Sequence, residues 1–264
     1  MFSKELIRDV QYKTSSNLQS RVGLHQQFTR INKNFWPLLA SKYPWKNSKE
    51  ILEIGCGTGI FWDTALKKLN ENSCVTLTDI SSGMLETTRD RIKDHRFRFS
   101  QFDIDTPNIA SQFDLVIAHF MLYHSGNPKQ ALMSIKGMLT PEGKASLATL
   151  GDLHMKRIDD FIKSLIKENK LNYQITEQSS IDRFNESVAD KLITEVFNSY
   201  EKYEIDDYLD VTDPAPLAEY CKSMMKYQAL DEPFFQLLFE GLSNEIEKLG
   251  KFVIPKRVVF YIAH

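Results

Sequence analysis

The sequence predicts an α/β protein built on a mostly parallel sheet with helices over both faces. Two observations carry that prediction. Between residues 51 and 150 short apolar runs alternate with helical stretches, and the first run breaks off at three glycines in alternate positions, ILEIGCGTGIF. Composition adds that 264 residues, 42% hydrophobic and 26% charged, can bury a sizeable core without disulfides or metal. Cys56, Cys74 and Cys221 have no metal-ligand spacing, so no metal site is expected, and they suit a reducing compartment. A net charge of -2 gives no reason to expect nucleic acid as a partner. MFSKELIRDVQYK lacks the apolar core of a signal peptide and no run approaches a membrane span, which makes the cytoplasm the expected location and a membrane an unexpected partner.

The elements follow in order. Residues 1–49 are polar and helical in pattern: Leu18, Val22, Leu24 and Phe28 can share one side of a helix, and Phe35, Leu38 and Leu39 continue an apolar stripe. Pro44 and Asn47-Ser48 break it. ILEI (51–54) is a short buried strand, and FWDTALKKL (61–69) a helix. Cys74–Thr78 is a second strand ending at Asp79, and Ser81 or Ser82 caps a helix reaching about Asp94. RFRFSQF (96–102) alternates as a third strand, and FDLVIAHF (113–120) is an apolar fourth. A helix runs from about Pro128 to Leu139, TPEG (140–143) is a turn, and KASLATL (144–150) is the fifth strand. Beyond residue 151 the alternation stops. GDLHMKRIDDFIKSLIKENK is an amphipathic helix, EKYEIDDYLD (201–210) a strand, 214–227 and 233–249 are helical, and VVFYIA is a last buried strand. The chain is therefore read as one domain: an N-terminal helical cap segment (1–49), a sheet core (50–151), and the rest of the sheet carrying an inserted helical cap (152–264). The cap itself is assigned to 1–45, 152–197 and 213–249.

Gly55, Gly57 and Gly59 give G-x-G-x-G at the end of the first strand. Glycine admits positive φ and close approach of a ligand, and the next helix would aim its N–H groups at the same place. The dinucleotide fingerprint G-x-G-x-x-G fails at Ile60, and Glu53 would repel a pyrophosphate while tolerating a cofactor that carries an ammonium group. Asp79, at the end of the second strand, can accept hydrogen bonds from both ribose hydroxyls, and Ile80 can lie on a purine face. Asp103, followed by Ile104, can accept from an adenine amine.

Taken together, ILEIGCGTG, LTDIS, QFDID, FDLVIAHFMLYH and LTPEGKASLATL resemble the successive motifs of class I, Rossmann-like S-adenosylmethionine-dependent methyltransferases over roughly residues 50–150. The resemblance implies a three-layer, doubly wound, seven-stranded sheet whose last strand is antiparallel, which suits a pairing of 201–210 with 258–263. It implies S-adenosylmethionine as cofactor and S-adenosylhomocysteine as product. The three glycines would border the methionine part, Asp79 would hold the ribose, Ile80, Asp103 and Ile104 would surround adenine, and His119 and Phe120 would lie by the methyl donor. With Glu53, Cys56 and Met84 these form the expected cofactor-binding set. NLQSRVGLHQQF (17–28), MLYH (121–124), GDLHMK (151–156) and DYLDVTDPAPLAEY (207–220) further resemble a bacterial type 11/type 25 methyltransferase-domain group acting on small molecules.

A sulfonium is already an activated electrophile, so the protein has to align an acceptor, exclude water and remove a proton where one is present. Histidine titrates nearest neutrality, which nominates His119, His124, His25 and His154. Position in the chain favours His119 and His124 as catalytic, and Arg21, His25, Tyr123 and His124 as acceptor-binding. Structural hydrogen bonding is the competing reading for each histidine, and a surface ion pair for Arg21. Met121, Met133 and Met138 read as core, the cluster in TTRDRIKDHRFRF as a solvated face, and Cys56 as a tolerated small residue. The expected activity is methyl transfer to a small-molecule acceptor. RNA or protein methylation is the alternative, made less attractive by AHFMLYH where amino-directed nucleic-acid enzymes carry asparagine-proline, and a non-catalytic S-adenosylmethionine-binding regulator is another. The acceptor, the atom methylated and the oligomeric state are not written in the sequence.

Overall fold

The computed structural model describes residues 16–30, 35–108, 111–173, 175 and 180–264. The sequence readings for residues 1–15 lie outside them. Seven strands, β1 (Glu50–Ile54), β2 (Cys74–Asp79), β3 (Phe97–Gln101), β4 (Phe113–His119), β5 (Leu139–Leu150), β6 (Tyr200–Val211) and β7 (Phe252–Ala263), form one sheet in the order β3-β2-β1-β4-β5-β7-β6. The first five are parallel, and β7 runs antiparallel to both β5 and β6. Strand order reverses between β1 and β4, so the crevice for a ligand lies outside the carboxyl ends of those strands.

Alternation along the strands sorts the core into two layers. Leu52, Ile54, Val116, Ala118, Leu147, Val259 and Tyr261 face helices α5 (Pro128–Gly137) and α7 (Glu186–Val196). Ile51, Val75, Leu77, Leu115, Ile117 and Phe260 face α2 (Phe35–Ser41), α3 (Trp62–Ala65) and α4 (Ser82–Arg91). A third cluster lies beyond the sheet: α1 (Ser16–Phe28), α6 (Lys156–Glu168), α8 (Pro214–Lys222) and α9 (Glu232–Leu249) pack around Leu209, Val211, Phe252 and Ile254. That arrangement follows from strand length. β7 pairs with β5 only through Val258–Ala263, whereas its pairing with β6 continues to Phe252, so the β6–β7 hairpin overhangs the sheet and carries the cap.

Several expectations need correction. The cap is α1, α6, α8 and α9. Leu39, Ala40, Tyr43 and Trp45 belong instead to a sheet layer, as does α7, whose Ala189, Ile193 and Val196 pack on the opposite layer. Leu38 points outward and Met133 is exposed on α5. The TPEG stretch is a bulge within β5, set against a register shift between Phe113 and Leu115 of β4. The helix after the glycine turn is a single α-turn followed by 3-10 geometry over Leu66–Lys68, too short to develop a useful dipole. Ser81, not Ser82, is the N-cap of α4, accepting from Met84 N.

Candidate functional site

A cavity of about 620 Å³ opens at the carboxyl ends of β1, β2 and β4 and extends under the cap. At its sheet end the glycine turn has two functions. Gly55 sits at φ +71°, where a Cβ would meet Met121 Cβ at 2.8 Å, and Gly57 at +55° faces Leu18. Both line the cavity. Gly59 does not: a Cβ there would lie 2.8 Å from Thr88 Cγ2, so this glycine lets the turn rest on α4. Its placement at the methionine part of a cofactor is therefore corrected to a packing role. Three N–H groups of the turn are already committed, Cys56 N to Thr78 O, Gly57 N to Asp79 Oδ2 and Gly59 N to Cys56 O.

Two buried carboxylates face this turn. Asp79 accepts from Gly57 N at 3.0 Å and Ser81 N at 2.9 Å; burial holds its pKa above the ordinary value, against those bonds. Glu53 is 3% exposed and accepts from Trp62 Nε1 at 2.5 Å. Burial pushes it up to about 7, with Trp62 opposing and the Asp79 charge adding to the rise. Around the same end lie Ile80, Met84, Asp103 and Ile104, and Asp103 Oδ1 accepts from Asp105 N at 2.9 Å. Burial also pushes the Cys56 thiol well up, which agrees with an inert role.

β4 delivers the middle of the cavity. His119 Nε2 lies 2.6 Å from Tyr43 Oη and 3.1 Å from Ser146 Oγ, and Ser146 donates to Tyr43. The phenolic proton of Tyr43 is then directed at His119 Nε2, so the neutral ring carries its own proton on Nδ1. Burial pushes His119 down to about 3. Nε2 is engaged by Tyr43 and Ser146, while Nδ1 is buried without a partner among the described residues. Phe120 holds φ 53° with its N–H bonded to Ala148 O, a left-handed conformation rare outside glycine that aims the ring into the cavity beside Phe35 and Trp36. Tyr123 and His124 follow. Burial and the charges of Arg21 and Arg183 hold His124 down to about 3.

At the cap end α1 presents Arg21 and His25, one turn apart on the same face. Arg21 donates to Ser223 Oγ and O on the α8 side. The His25 ring lies 5.9 Å from that of His154 and 6.3 Å from Tyr220. Sequence reasoning missed the floor beneath them. On one face of the β6–β7 hairpin the pairs run Tyr203–Phe260, Ile205–Val258, Asp207–Lys256, Leu209–Ile254, so a single ion pair interrupts an apolar stripe. Asp207 and Lys256 approach to 3.0 Å, with side chains only 2% and 11% exposed, and both line the cavity. The signal was present as an acid and a base at matching alternation in the two strands, but it needs the register. All the sequence-nominated residues except Gly59 line this one cavity.

The comparisons with known proteins agree with this architecture. Residues 52–145 match the family described as methyltransferase domain. Over that segment the chain is similar to methyltransferase domains. Curated relatives of this domain include a malonyl-[acyl-carrier protein] O-methyltransferase of Acetivibrio thermocellus, 23% identical over 78% of this chain and 65% of that one. Another is malonyl-[acyl-carrier protein] O-methyltransferase 1 of Ilyobacter polytropus, 27% identical over 50% of this chain; the present chain spans about half its length, 49%. Among solved structures, the YcgJ protein of Bacillus subtilis aligns with 86% of this chain and 97% of its own at a TM-score of 0.58 and 11% identity. Haemonchus contortus phosphoethanolamine N-methyltransferase 2, solved with S-adenosyl-L-methionine, aligns with all of this chain and 60% of its own at 0.59 and 16% identity. At such identities these two show the methyltransferase fold. The described residues contain no helix long and apolar enough to cross a membrane and no group of three or more potential metal ligands.

Proposed function

We propose that this chain transfers a methyl group from S-adenosylmethionine to a small-molecule acceptor held between the sheet and the cap. The observation that carries the proposal is the pairing of Glu53 and Asp79, both buried, around a glycine turn whose N–H groups are largely spent on the protein itself. A pyrophosphate wants free N–H groups and no adjacent carboxylate, whereas a nucleoside with a cationic amino-acid tail is complementary to this set. Asp79 is suited to the ribose hydroxyls, Glu53 to the ammonium, and Ile80, Asp103 and Ile104 to adenine, with Met84 closing the pocket.

When bound, S-adenosylmethionine supplies an activated methyl group. The protein then has to exclude water and align the acceptor, and the aromatic wall of Phe35, Trp36 and Phe120 below the cap helices serves both needs. The names of the curated relatives support a small acceptor and leave O, N or C open for this chain. A mainly apolar cavity and a net charge of -2 favour such an acceptor over nucleic acid. Isothermal titration with S-adenosylmethionine, S-adenosylhomocysteine and NAD tests the reading. Binding of both sulfur compounds without NAD is the expected result; NAD alone binding would overturn it.

A further inference from the structure

The cap end of the cavity is built as carefully as the sheet end, and its chemistry bears on the acceptor. This inference rests on the methyl-transfer reading and deepens it. His154 lies in a tight turn fastened to β7: Gly151 N and His154 Nδ1 both donate to Arg257 O at 3.0 Å, and Met155 N donates to Pro255 O. Met155 holds φ 59° to complete the turn. A carbonyl can only accept, so Nδ1 carries the proton and Nε2 of the neutral ring keeps its lone pair. Lys256 makes two bonds among the described residues, to Asp207 Oδ2 and to Thr29 Oγ1 at 2.7 Å, which leaves a third N–H. The His25 ring makes no hydrogen bond among the described residues. His154, Lys256, Asp207, Thr29 and His25 all line the cavity.

We propose that this end binds the hydroxyl of a planar phenolic or enolic acceptor, with Lys256 donating to its oxygen and His154 Nε2 receiving its proton. A hydroxyl both donates and accepts, which matches one remaining ammonium N–H and one fixed imidazole lone pair in the same cavity. A carboxylate would meet the buried Asp207, and an ammonium would meet Lys256 and Arg21. The planar body follows from the rings that share the cavity, Phe35, Trp36, Phe120 and Tyr123. The acidity of the hydroxyl follows from the ring that must deprotonate it. Burial and the charges of Lys256 and Lys226 hold His154 down to about 4 against the pull of the Arg257 carbonyl, so an alkyl alcohol would not yield its proton to it. In the transfer the oxygen–methyl bond forms as the methyl–sulfur bond breaks, with the sulfur keeping the electron pair. The hydroxyl proton passes to His154 Nε2 and leaves to water with the product.

The test uses 4-nitrophenol, a chromophoric phenol, titrated into the full chain saturated with S-adenosylhomocysteine. His154→Asn is the informative variant, because its amide nitrogen can still donate to the Arg257 carbonyl while the Nε2 lone pair is gone. Saturable binding to the unaltered protein is expected, weakened about tenfold or more in His154→Asn, the size of one lost hydrogen bond to a charged or ionising group. His154→Gln, which restores an acceptor oxygen near Nε2, should recover part of the affinity, a rescue that a structural role would not show. S-adenosylhomocysteine affinity should stay unchanged in both. Equal nitrophenol binding in His154→Asn, no saturable binding, or tighter binding of benzoate or benzylamine would overturn the proposal. Failure of S-adenosylhomocysteine to bind would remove the cofactor reading instead, and the nitrophenol titration repeated on the free protein would still decide the subsite.

Discussion

The two ends of the cavity are made by different routes. At the sheet end each functional group sits at or just beyond the close of a strand: Glu53 with the glycine turn after β1, Asp79 after β2, Asp103 after β3, Phe120 after β4. At the cap end the groups come from distant parts of the chain. Lys256 bonds Thr29 across 227 positions, Arg21 reaches Ser223 across 202, and His154 holds the carbonyl of Arg257 across 103. Burial favours the neutral form at both ends, the protonated carboxyl at Glu53 and Asp79 and the uncharged ring at His25, His124 and His154. Under the proposed function the sheet end takes the cofactor's cationic tail, and the cap end a neutral, hydrogen-bonding group.

The sharpest way to break this contrast is to unpair the ion pair that only the cap end contains. Lys256→Met removes the ion-pair partner 3.0 Å from the buried Asp207, 2% exposed, and should cost about 3–5 kcal/mol of stability. Asp207→Leu combined with Lys256→Met restores the apolar stripe between Ile205–Val258 and Leu209–Ile254 and should recover most of that loss. Denaturant unfolding of the three variants measures both quantities. A single variant as stable as the parent would mean that the pair is more hydrated than its burial indicates.

At the sheet end the corresponding change is Asp79→Ala. It removes acceptors for Gly57 N and Ser81 N together with the contacts proposed for the ribose, each charged hydrogen bond being worth about 1.5–3 kcal/mol. Titration with S-adenosylhomocysteine should show the loss, and unchanged affinity would refute the ribose assignment. Gly59→Ala separates packing from binding within the same turn. Its φ of +70° and the 2.8 Å approach to Thr88 predict lower stability, with cofactor affinity kept in the folded fraction.

How much of this was legible beforehand follows the same division. Gly55, Asp79 and Asp103 were readable because a parallel sheet converts sequence order into position at one edge, so each strand end announces its own residue. Gly59 was misread because its pattern does not say whether a missing Cβ serves a ligand or a neighbouring helix. For His119 the sequence nominates a base but cannot show Tyr43 and Ser146 closing on Nε2. α7 was taken for cap because its side of the sheet depends on a crossover that local periodicity does not encode. Asp207 and Lys256 were invisible for a similar reason: only the hairpin register turns two unremarkable charges into a buried pair.

The histidines give a fourth, smaller prediction. His119 is 7% exposed, and burial holds it at about 3 against an unfolded value of 6.5. Its folded state binds fewer protons than the unfolded state in that window, so its contribution to stability is complete above pH 6.5 and is lost as pH falls toward 3. At pH 5 that amounts to about 2 kcal/mol for a group displaced this far, at 1.36 kcal/mol per pH unit. Thermal unfolding from pH 7 to pH 5 should show a steep decline, to which the similarly depressed His25, His124 and His154 also contribute, and His119→Gln should make it shallower by about 2 kcal/mol. A parallel decline in the variant would place the acid sensitivity in other groups.

The finest test concerns Glu53, because there the chemistry of the sheet end can be read from a proton. Burial pushes its pKa up to about 7, so below that pH the carboxyl is largely neutral and cannot pair with an ammonium. If the cofactor's amino-acid tail lies against it, binding must draw the carboxyl into its charged form and release a proton. Affinity for S-adenosylhomocysteine should then rise by about tenfold between pH 6 and pH 8 and level off above, because one proton is lost per binding event at the lower end of that range. Heats measured in buffers of different ionisation enthalpy count that proton directly. Glu53→Gln should remove both the slope and the proton release, while the bond from Trp62 Nε1 can still be accepted by the amide oxygen. A flat pH profile in the unaltered protein would put the ammonium elsewhere, and the buried carboxylate would then be a partner for Trp62 alone.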